Sequence, residues 1–148
     1  MNYRQLTAVD RAGGVASWTG THILGTNAVS EEHDCIAAGN LLKTAGVPIA
    51  MTDAFADGAE LHLAERLLRA LEVGLASGGE EGPVHSAALL VHHEQKFPLV
   101  DLRCDWDGAD PIGALRRLWT GYEPQMQAYL IRALDPSAAP SYGVKGNP

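Results

Sequence analysis

Hydrophobic and polar positions alternate over three short stretches near the start of the chain. Residues 3–10 and 15–20 alternate on either side of a glycine-containing turn, and this pattern predicts a β-hairpin. Residues 35–40 predict a third short strand. Between them, residues 21–29 are interrupted by glycine and residues 30–34 are mostly charged, so we expect an irregular segment that ends in a solvent-exposed loop.

After residue 45 the apolar residues follow the spacing that is typical of helices. Residues 46–58 predict a helix because Pro48 occupies a first turn, where proline is tolerated. Residues 60–79 predict a second helix, with Glu65 and Arg69 as an i,i+4 ion pair and two glycines at its end. Its apolar stripe consists of Leu61, Ala64, Leu67, Leu68, Leu71 and Leu75.

A second hairpin and a broken helix follow. Residues 84–93 are almost entirely apolar in their middle, which is typical of a strand covered on both faces, and residues 97–106 alternate strictly, with Trp106 on the apolar face. Asp110 and Pro111 are expected to begin a helix that Gly121 interrupts and Pro124 restarts. The proline-rich residues 135–148 predict an extended arm.

This order of elements favours an α+β fold, because strands and helices come in runs and do not alternate one by one. The length of 148 residues suits one domain with a real core. We therefore expect a single domain over residues 1–134 and an arm over residues 135–148.

Composition excludes several classes of partner. The net charge is −7 and the 11 basic residues form no cluster, so we expect no nucleic-acid partner. No run approaches the ~20 apolar residues of a membrane helix, and the first ten residues lack the apolar core of a signal peptide, so we expect a cytoplasmic protein without a membrane partner. Cys35 and Cys104 belong to no C-x-x-C motif and are expected to be reduced.

Familiar catalytic and metal-binding motifs are incomplete in this chain. Residues 20–26 have the glycine spacing of a phosphate loop but lack its lysine, and Ser86 has no G-x-S-x-G elbow. His85 and His93 lie about 26 Å apart along one strand, too far for shared ligation, and the other histidines are separated in sequence. Asp101 and Asp105 flank Arg103 as a charged ladder. We expect neither a metal nor a cofactor.

Two strand ends remain as candidates for a site, because loops and sites gather there. Gly39 would let backbone or ligand approach closely, and the amide of Asn40 offers both a donor and an acceptor. The pair Trp18 and Thr19 ends another strand. A turn-forming Gly-Asn without any function is the alternative at this stage.

Several separated motifs resemble an uncharacterised family, domain of unknown function 1028. They are "YRQLTAVD", "WTG", "AAGNLL", "LAERLLRALEVG", "SAALLV", "FPLVDLRCDW" and "ALDPSAAPSYG". This family is placed among the N-terminal-nucleophile (Ntn) hydrolases. The resemblance implies a four-layer αββα sandwich, of which this chain is expected to be the C-terminal two-thirds, lacking the N-terminal strands.

The resemblance also implies a hypothesis for function. In Ntn hydrolases the nucleophile is a Thr, Ser or Cys at the start of the first strand, which this chain lacks. We expect hydrolysis of a small amide or peptide-type bond together with an absent segment, with Asn40 as oxyanion donor and Trp18, Thr19 and Gly39 binding substrate. His22 stands where the family often has a cysteine, and Ala38 where it often has a polar residue.

Two other hypotheses stay open. A non-catalytic binding or assembly module would retain the sandwich without the chemistry. A structural fragment would complete its sheets with another chain, and because unpaired sheet edges are adhesive we expect a homo-oligomer or a complementing chain.

Overall fold

Three α-helices and three two-stranded antiparallel sheets make up residues 1–144, the part of the chain that the computed structural model describes. The mixed α and β content predicted from the sequence is confirmed. The strands are β1 (Gln5–Val9), β2 (Val15–Thr19), β3 (Ala28–Glu32), β4 (Cys35–Gly39), β5 (Ala87–Val91) and β6 (Val100–Cys104), and the helices are α1 (Val47–Asp57), α2 (Leu63–Ala76) and α3 (Pro111–Leu134).

The first hairpin is confirmed, but the segment after it is not a loop. β1 and β2 pair from Gln5 opposite Thr19 to Val9 opposite Val15. Residues 28–32, expected to be irregular or solvated, form β3 and pair with β4. The sequence hides this strand because its single fully buried side chain, Ser30, is polar, while both glutamates face solvent.

A buried pair of hydroxyl groups fastens β3 to the first helix. Ser30 Oγ lies 2.8 Å from Thr52 Oγ1 on α1, and both residues are buried. Thr52 Oγ1 donates its proton to the carbonyl of Ile49 at 3.0 Å, so the Ser30 hydroxyl donates to Thr52. Both hydroxyls are thereby satisfied in an apolar setting, which removes the cost of burying them.

Helices α1 and α2 lie where the helical spacing of apolar residues predicted them, and they pack closely against each other. Pro48 lies in the first turn of α1. Ala64 and Leu68 of the predicted stripe on α2 are fully buried, whereas Leu61 and Leu75 at its ends are 36% and 45% exposed. Gly74 is buried at the crossing, where a Cβ would stand 2.8 Å from Met51 Cγ.

The second hairpin is also confirmed, with β5 antiparallel to β6. The expectation that β5 is covered on both faces is wrong. Leu89 and Val91 are buried against the helices, but Leu90 on the other face is 55% exposed. Trp106 lies beyond the end of β6, 75% exposed, and stacks on His85 with ring centroids 4.3 Å apart.

Helix α3 is continuous, so the predicted break at Gly121 and Pro124 is wrong. Both residues lie on the solvent side, and the buried face runs past them through Trp119, Tyr122 and Met126. Packing of that face outweighs the low helix propensity of the two exposed positions. The predicted cap is confirmed, since Asp110 Oδ1 accepts a hydrogen bond from the Gly113 amide at 2.8 Å.

One apolar core lies where α2, β5, β6 and α3 meet. Its buried members are Ala64, Leu68, Leu89, Val91, Val100, Ile112, Leu115 and Trp119. The β3–β4 hairpin packs on α1, and the β1–β2 hairpin contacts β3–β4. Within residues 1–144, no helix is both long and apolar enough to cross a membrane.

The first part of the predicted arm turns back onto the end of α3. Residues 136–138 form a short 3-10 turn, and Arg132 Nη2 donates to the carbonyl of Pro140 at 2.6 Å. The same guanidinium lies 3.9 Å from the centre of the Tyr142 ring, a cation–π contact. The last four residues of the predicted arm, 145–148, lie outside the described residues.

Candidate functional site

A channel runs between β4 and β5 over the surface of α1 and α2, and we name it the β4–β5 channel. It consists of two adjoining cavities of about 430 Å³ and 250 Å³. Ala38, Met51, Leu71 and Ala88 line both cavities, so the two cavities adjoin.

The walls of the larger cavity come from β4 and β5, with Thr7 of β1 beside them. Consecutive residues 35–38 of β4 and 88–90 of β5 line the larger cavity. Side chains of consecutive strand residues point to opposite faces, so a wall made of consecutive residues is the backbone edge itself. The floor is apolar and comes from the helices through Met51, Phe55, Leu67, Ala70 and Leu71.

Gly39 lies at the end of the channel, where the sequence predicted a site. It lines the smaller cavity, and a Cβ at this position would stand 2.8 Å from Cδ2 of the buried Leu42. A larger residue would therefore have to displace a side chain that is itself packed. The glycine thus makes room for Leu42 of the same chain, and its role in substrate binding stays a prediction.

Asn40 follows at the rim and is held by one weak side-chain hydrogen bond. Its Nδ2 donates to the carbonyl of Leu24 at 3.5 Å. Asn40 is half-buried, and its amide carries a second N–H that makes no hydrogen bond within residues 1–144. Asn40 therefore follows Gly39, which lines the smaller cavity, while Asn40 is among the lining residues of neither cavity.

The residue after Asn40 has a strained backbone. Leu41 adopts φ 53°, in the left-handed region that bulky residues avoid. Three backbone hydrogen bonds hold this corner: Leu41 N to Leu24 O at 3.2 Å, Leu42 N to Thr26 O at 2.9 Å, and Glu81 N to Leu41 O at 2.7 Å. A non-glycine residue in this conformation costs about 1–3 kcal/mol, and such outliers concentrate at functional sites.

The side chain of Gln5 links Thr19 to the end of the β3–β4 hairpin at which Gly39 lies. Gln5 Nε2 donates to Thr19 Oγ1 at 3.3 Å and lies 3.4 Å from the carbonyl of Ala28, the residue opposite Gly39 in the β3–β4 pair. Trp18 lies one residue earlier and is 40% exposed. No hydrogen bond joins Trp18 or Thr19 to Asn40 in the described part of the chain.

A cysteine in the channel wall has little thiolate character. Burial raises the pKa of the Cys35 thiol above its ordinary value, and the opposing effect of Arg66 is smaller. At neutral pH the thiol is therefore protonated, and a protonated thiol is a poor nucleophile.

The fold brings together two histidines that the sequence separates. His62 and His93 line a cavity of about 400 Å³ between the β5–β6 turn and α3. His62 Nδ1 already accepts the Ala64 amide at 3.1 Å as a helix cap. Among residues 1–144 there is no group of three or more His, Cys, Asp or Glu side chains suited to a metal ion.

Sequence reasoning missed the channel, because its lining comes from distant segments that include β1, β4, α1, α2 and β5. One signal pointed to it: the unbroken apolar run of β5, which indicates a strand that something else covers. Ala88 and Leu90, the residues that make this run unbroken, lie on the rim of the channel.

The chain is similar to proteins of one family. The model of DUF1028, a family of unknown function, matches residues 1–115. Among solved structures, the chain is similar to a Silicibacter pomeroyi protein assigned to DUF1028, with 37% sequence identity and a TM-score of 0.73. That match covers 82% of this chain and 51% of the other, so the chain spans about half the length of that protein. No curated protein matches the chain. The family model and the structural neighbour agree, and the chain belongs to the DUF1028 family of unknown function.

Proposed function

We propose that this chain forms part of an amide hydrolase of the Ntn type, with Asn40 as a donor to the oxyanion. The observation that carries the proposal is the position of Asn40, half-buried between Gly39, which lines the smaller cavity, and the strained backbone of Leu41. In this proposal the nucleophile belongs to a segment beyond the 148 residues, and the complete protein has the four-layer αββα architecture.

The proposed chemistry requires an N–H group that has a fixed position and makes no other hydrogen bond. An amide N–H that points at the developing negative charge of a tetrahedral intermediate stabilises the transition state. The 3.5 Å bond from Nδ2 to the carbonyl of Leu24 orients Asn40 while leaving one N–H for the substrate. Gly39 keeps the backbone clear for substrate, and Thr19 with Trp18 would line the neighbouring edge.

A small amide or peptide-type substrate fits this arrangement. Within residues 1–144, the larger cavity has no Asp, Glu, Lys or Arg in its lining, and the smaller cavity, which Gly39 lines, has Glu80, so a substrate without negative charge suits both. In this proposal the polar groups of the substrate are satisfied by Asn40, next to Gly39. No metal or cofactor enters the proposed step.

The test is hydrolysis of a panel of small amides by the intact gene product. Removing an oxyanion donor typically lowers kcat about 10²–10³-fold, so we expect a loss of that size for Asn40→Ala with little change in KM. Asn27→Ala is the matched control, because Asn27 Nδ2 also donates to a loop carbonyl, that of Gly25, at 3.2 Å. Equal activity of both variants and the unmodified protein would exclude the oxyanion role.

A non-catalytic binding or assembly module is the second candidate. It is favoured by the raised pKa of Cys35, which deprives the channel of a thiolate nucleophile at neutral pH. Under this alternative the intact gene product hydrolyses none of the amides and still binds a ligand at the rim.

A further inference from the structure

We infer that the space between the β5–β6 turn and α3 is a binding site for an arylalkylamine, an amine that carries a flat apolar body. The site, which we name the α3 cleft, consists of two cavities of about 380 Å³ and 400 Å³, a size typical of small-molecule sites. Phe97, Leu99 and Leu130 line both cavities, so the two adjoin. Within residues 1–144, no residue of the α3 cleft lines the β4–β5 channel, so this site is distinct from the one proposed for amide hydrolysis.

The first cavity is apolar and accepts the flat body of the ligand. The rings of Tyr122 and Tyr129 stack there, with centroids 6.1 Å apart and 19° between their planes. The Tyr122 hydroxyl donates to the carbonyl of Leu99 at 2.9 Å, which fixes the position of this ring. A ligand ring gains both apolar burial and contact with aromatic side chains in this cavity. Its lining residues are Phe97, Pro98, Leu99, Tyr122, Tyr129 and Leu130.

The second cavity supplies the counter-charge for an ammonium group. Among the described residues that line it, Glu94 is the only one with a carboxylate, and no lysine or arginine lines it. A bound cation therefore meets an opposite charge, whereas a bound anion meets a charge of its own sign. The net charge of −7 also favours the approach of cations over that of anions.

The orientation of the ligand follows from a second cation near the first cavity. The guanidinium of Arg132 lies 5.9 Å from the centre of the Tyr129 ring, a cation–π contact within the chain itself. Arg132 repels a ligand ammonium next to Tyr129, so the ammonium lies at the other end, beside Glu94. Phe97 lines both cavities and makes no cation–π contact within residues 1–144, so its ring is available to the ammonium group.

One wall of the second cavity is held by contacts within the chain. His62 lines this cavity, and its Nδ1 accepts a hydrogen bond from the Ala64 amide at 3.1 Å as the cap of α2. The imidazole also stacks on the buried Trp119, with ring centroids 5.4 Å apart. Because Nδ1 is an acceptor, the neutral ring carries its hydrogen on Nε2 and adds no charge that competes with the ammonium. A wall fixed in advance lowers the entropy cost of binding.

The experiment compares three indole compounds that share one flat body and differ in charge. Tryptamine is a cation, tryptophol is neutral and indole-3-acetate is an anion. Each is titrated calorimetrically into the 148-residue chain at low salt, where screening is weak, and at pH 8, where histidine is normally neutral. We expect tryptamine to bind about three- to tenfold more tightly than tryptophol, and indole-3-acetate to bind least.

Two variants locate the ligand. Glu94→Gln removes the counter-charge, so it should weaken tryptamine binding about threefold and leave tryptophol binding unchanged. Phe97→Ala should weaken the binding of all three compounds about tenfold. Their controls are Glu31→Gln on β3 and Leu118→Ala on α3, which lie outside both cavities. Glu31 is exposed like Glu94, and Leu118 is 43% exposed against 41% for Phe97, so all four variants should fold.

Three outcomes would overturn the inference. They are the absence of tryptamine binding at millimolar concentration, binding of indole-3-acetate at least as tight as that of tryptamine, and equal affinities of the Glu94 and Phe97 variants and their controls. Titration reads binding alone, so none of these outcomes bears on amide hydrolysis. Failure of the hydrolase proposal likewise leaves the α3 cleft and its ligand unaffected.

Discussion

At the scale of single residues, the most connected side chain is Glu65 on α2. It accepts hydrogen bonds from Arg69 at 2.6 Å, from Trp119 Nε1 at 2.9 Å and from Arg116. Arg116 also binds Glu72 through two hydrogen bonds of 2.8 Å, so this network fastens α3 to α2 at the edge of the core. Burial acts to raise the pKa of Glu65, but the bonds from Arg116, Arg69 and Trp119 outweigh it and hold the pKa below its ordinary value.

We predict that Glu65→Gln lowers stability in a pH-dependent way. The pKa of Glu65 is lower in the folded than in the unfolded state, so its contribution is complete above the unfolded pKa of about 4.3 and is lost as the pH falls through the folded pKa. Removing the charge should cost about 1–2 kcal/mol at pH 7. The difference from the unmodified chain should shrink below pH 4, measured by urea unfolding across this range.

The control for this prediction is Asp105→Asn. Asp105 binds Arg103 at 2.7 Å, but both side chains are largely exposed, and exposed pairs contribute little. This variant should unfold like the unmodified chain at every pH. An equal loss of stability in both variants would contradict the role assigned to the Glu65 network.

Residue-scale prediction succeeded where partners are close in sequence. The i,i+4 pair of Glu65 with Arg69 and the Asp110 cap both follow from local spacing, and both are confirmed. The bonds from Arg116 and Trp119 to Glu65 span 51 and 54 residues, and nothing local encodes them. The role of Asn40 stays a prediction.

At the scale of elements, two helical glycines have opposite surroundings. A Cβ at Gly121 on α3 would meet no atom within 4 Å, whereas one at Gly74 on α2 would meet Met51 Cγ at 2.8 Å and Sδ at 2.9 Å. Alanine favours the helix over glycine by about 0.8–1.0 kcal/mol where space is open. At Gly74 this gain in helix propensity is opposed by the cost of displacing Met51, which packs between α1 and α2.

We therefore predict that Gly121→Ala stabilises the protein by about 0.5–1 kcal/mol. Gly74→Ala should be less stable than Gly121→Ala by about 1 kcal/mol or more, because Met51 must move. Thermal or urea unfolding of the two variants measures both values. A stabilisation of equal size at both positions would show that α1 and α2 do not approach as closely as Gly74 implies.

Element-scale prediction failed where tertiary contacts outweighed local pattern. β3 was missed because a hydroxyl pair, Ser30 with Thr52, buries a polar strand position. The break in α3 was expected because Gly121 and Pro124 disfavour helix, yet the face through Trp119 and Tyr122 packs on the core on both sides of them. In each case the deciding partner belongs to a distant segment, which a single-sequence pattern does not contain.

At the scale of the whole molecule, burial is uneven. The core uses α2, β5, β6 and the first half of α3, while no residue of β1 or β2 is fully buried. On these two strands Leu6, Val9 and Trp18 are 47%, 50% and 40% exposed. Regions with little burial open at low free energy, so local stability should follow this division.

We predict a hierarchy in hydrogen exchange of the isolated chain. Amides of β1 and β2 should exchange first, and those of α2 near Leu68 and of α3 near Leu115 should exchange last, at rates set by global unfolding. Mass spectrometry of peptides from each segment provides the measurement. Uniform protection across all segments would mean that the β1–β2 hairpin is held by contacts beyond those described.

Whole-molecule prediction from sequence reached the class of fold and the family, but not the channel. Runs of strands and helices predicted a mixed α and β protein, and the quoted motifs led to DUF1028, which the family match bears out. The channel depends on how Ala38 of β4 and Ala88 of β5 come to lie on one cavity, a relation between segments fifty residues apart. The four-layer arrangement stays a proposal.

The open edges of β4 and β5 also have a colloidal consequence. With a net charge of −7 at pH 7 and an isoelectric point near 5.2, mutual repulsion keeps isolated molecules apart in neutral buffer. As the pH approaches the isoelectric point that repulsion vanishes, while the adhesive edges and the apolar floor remain. The chain is therefore expected to be least soluble near pH 5.2 and should be handled well above that value.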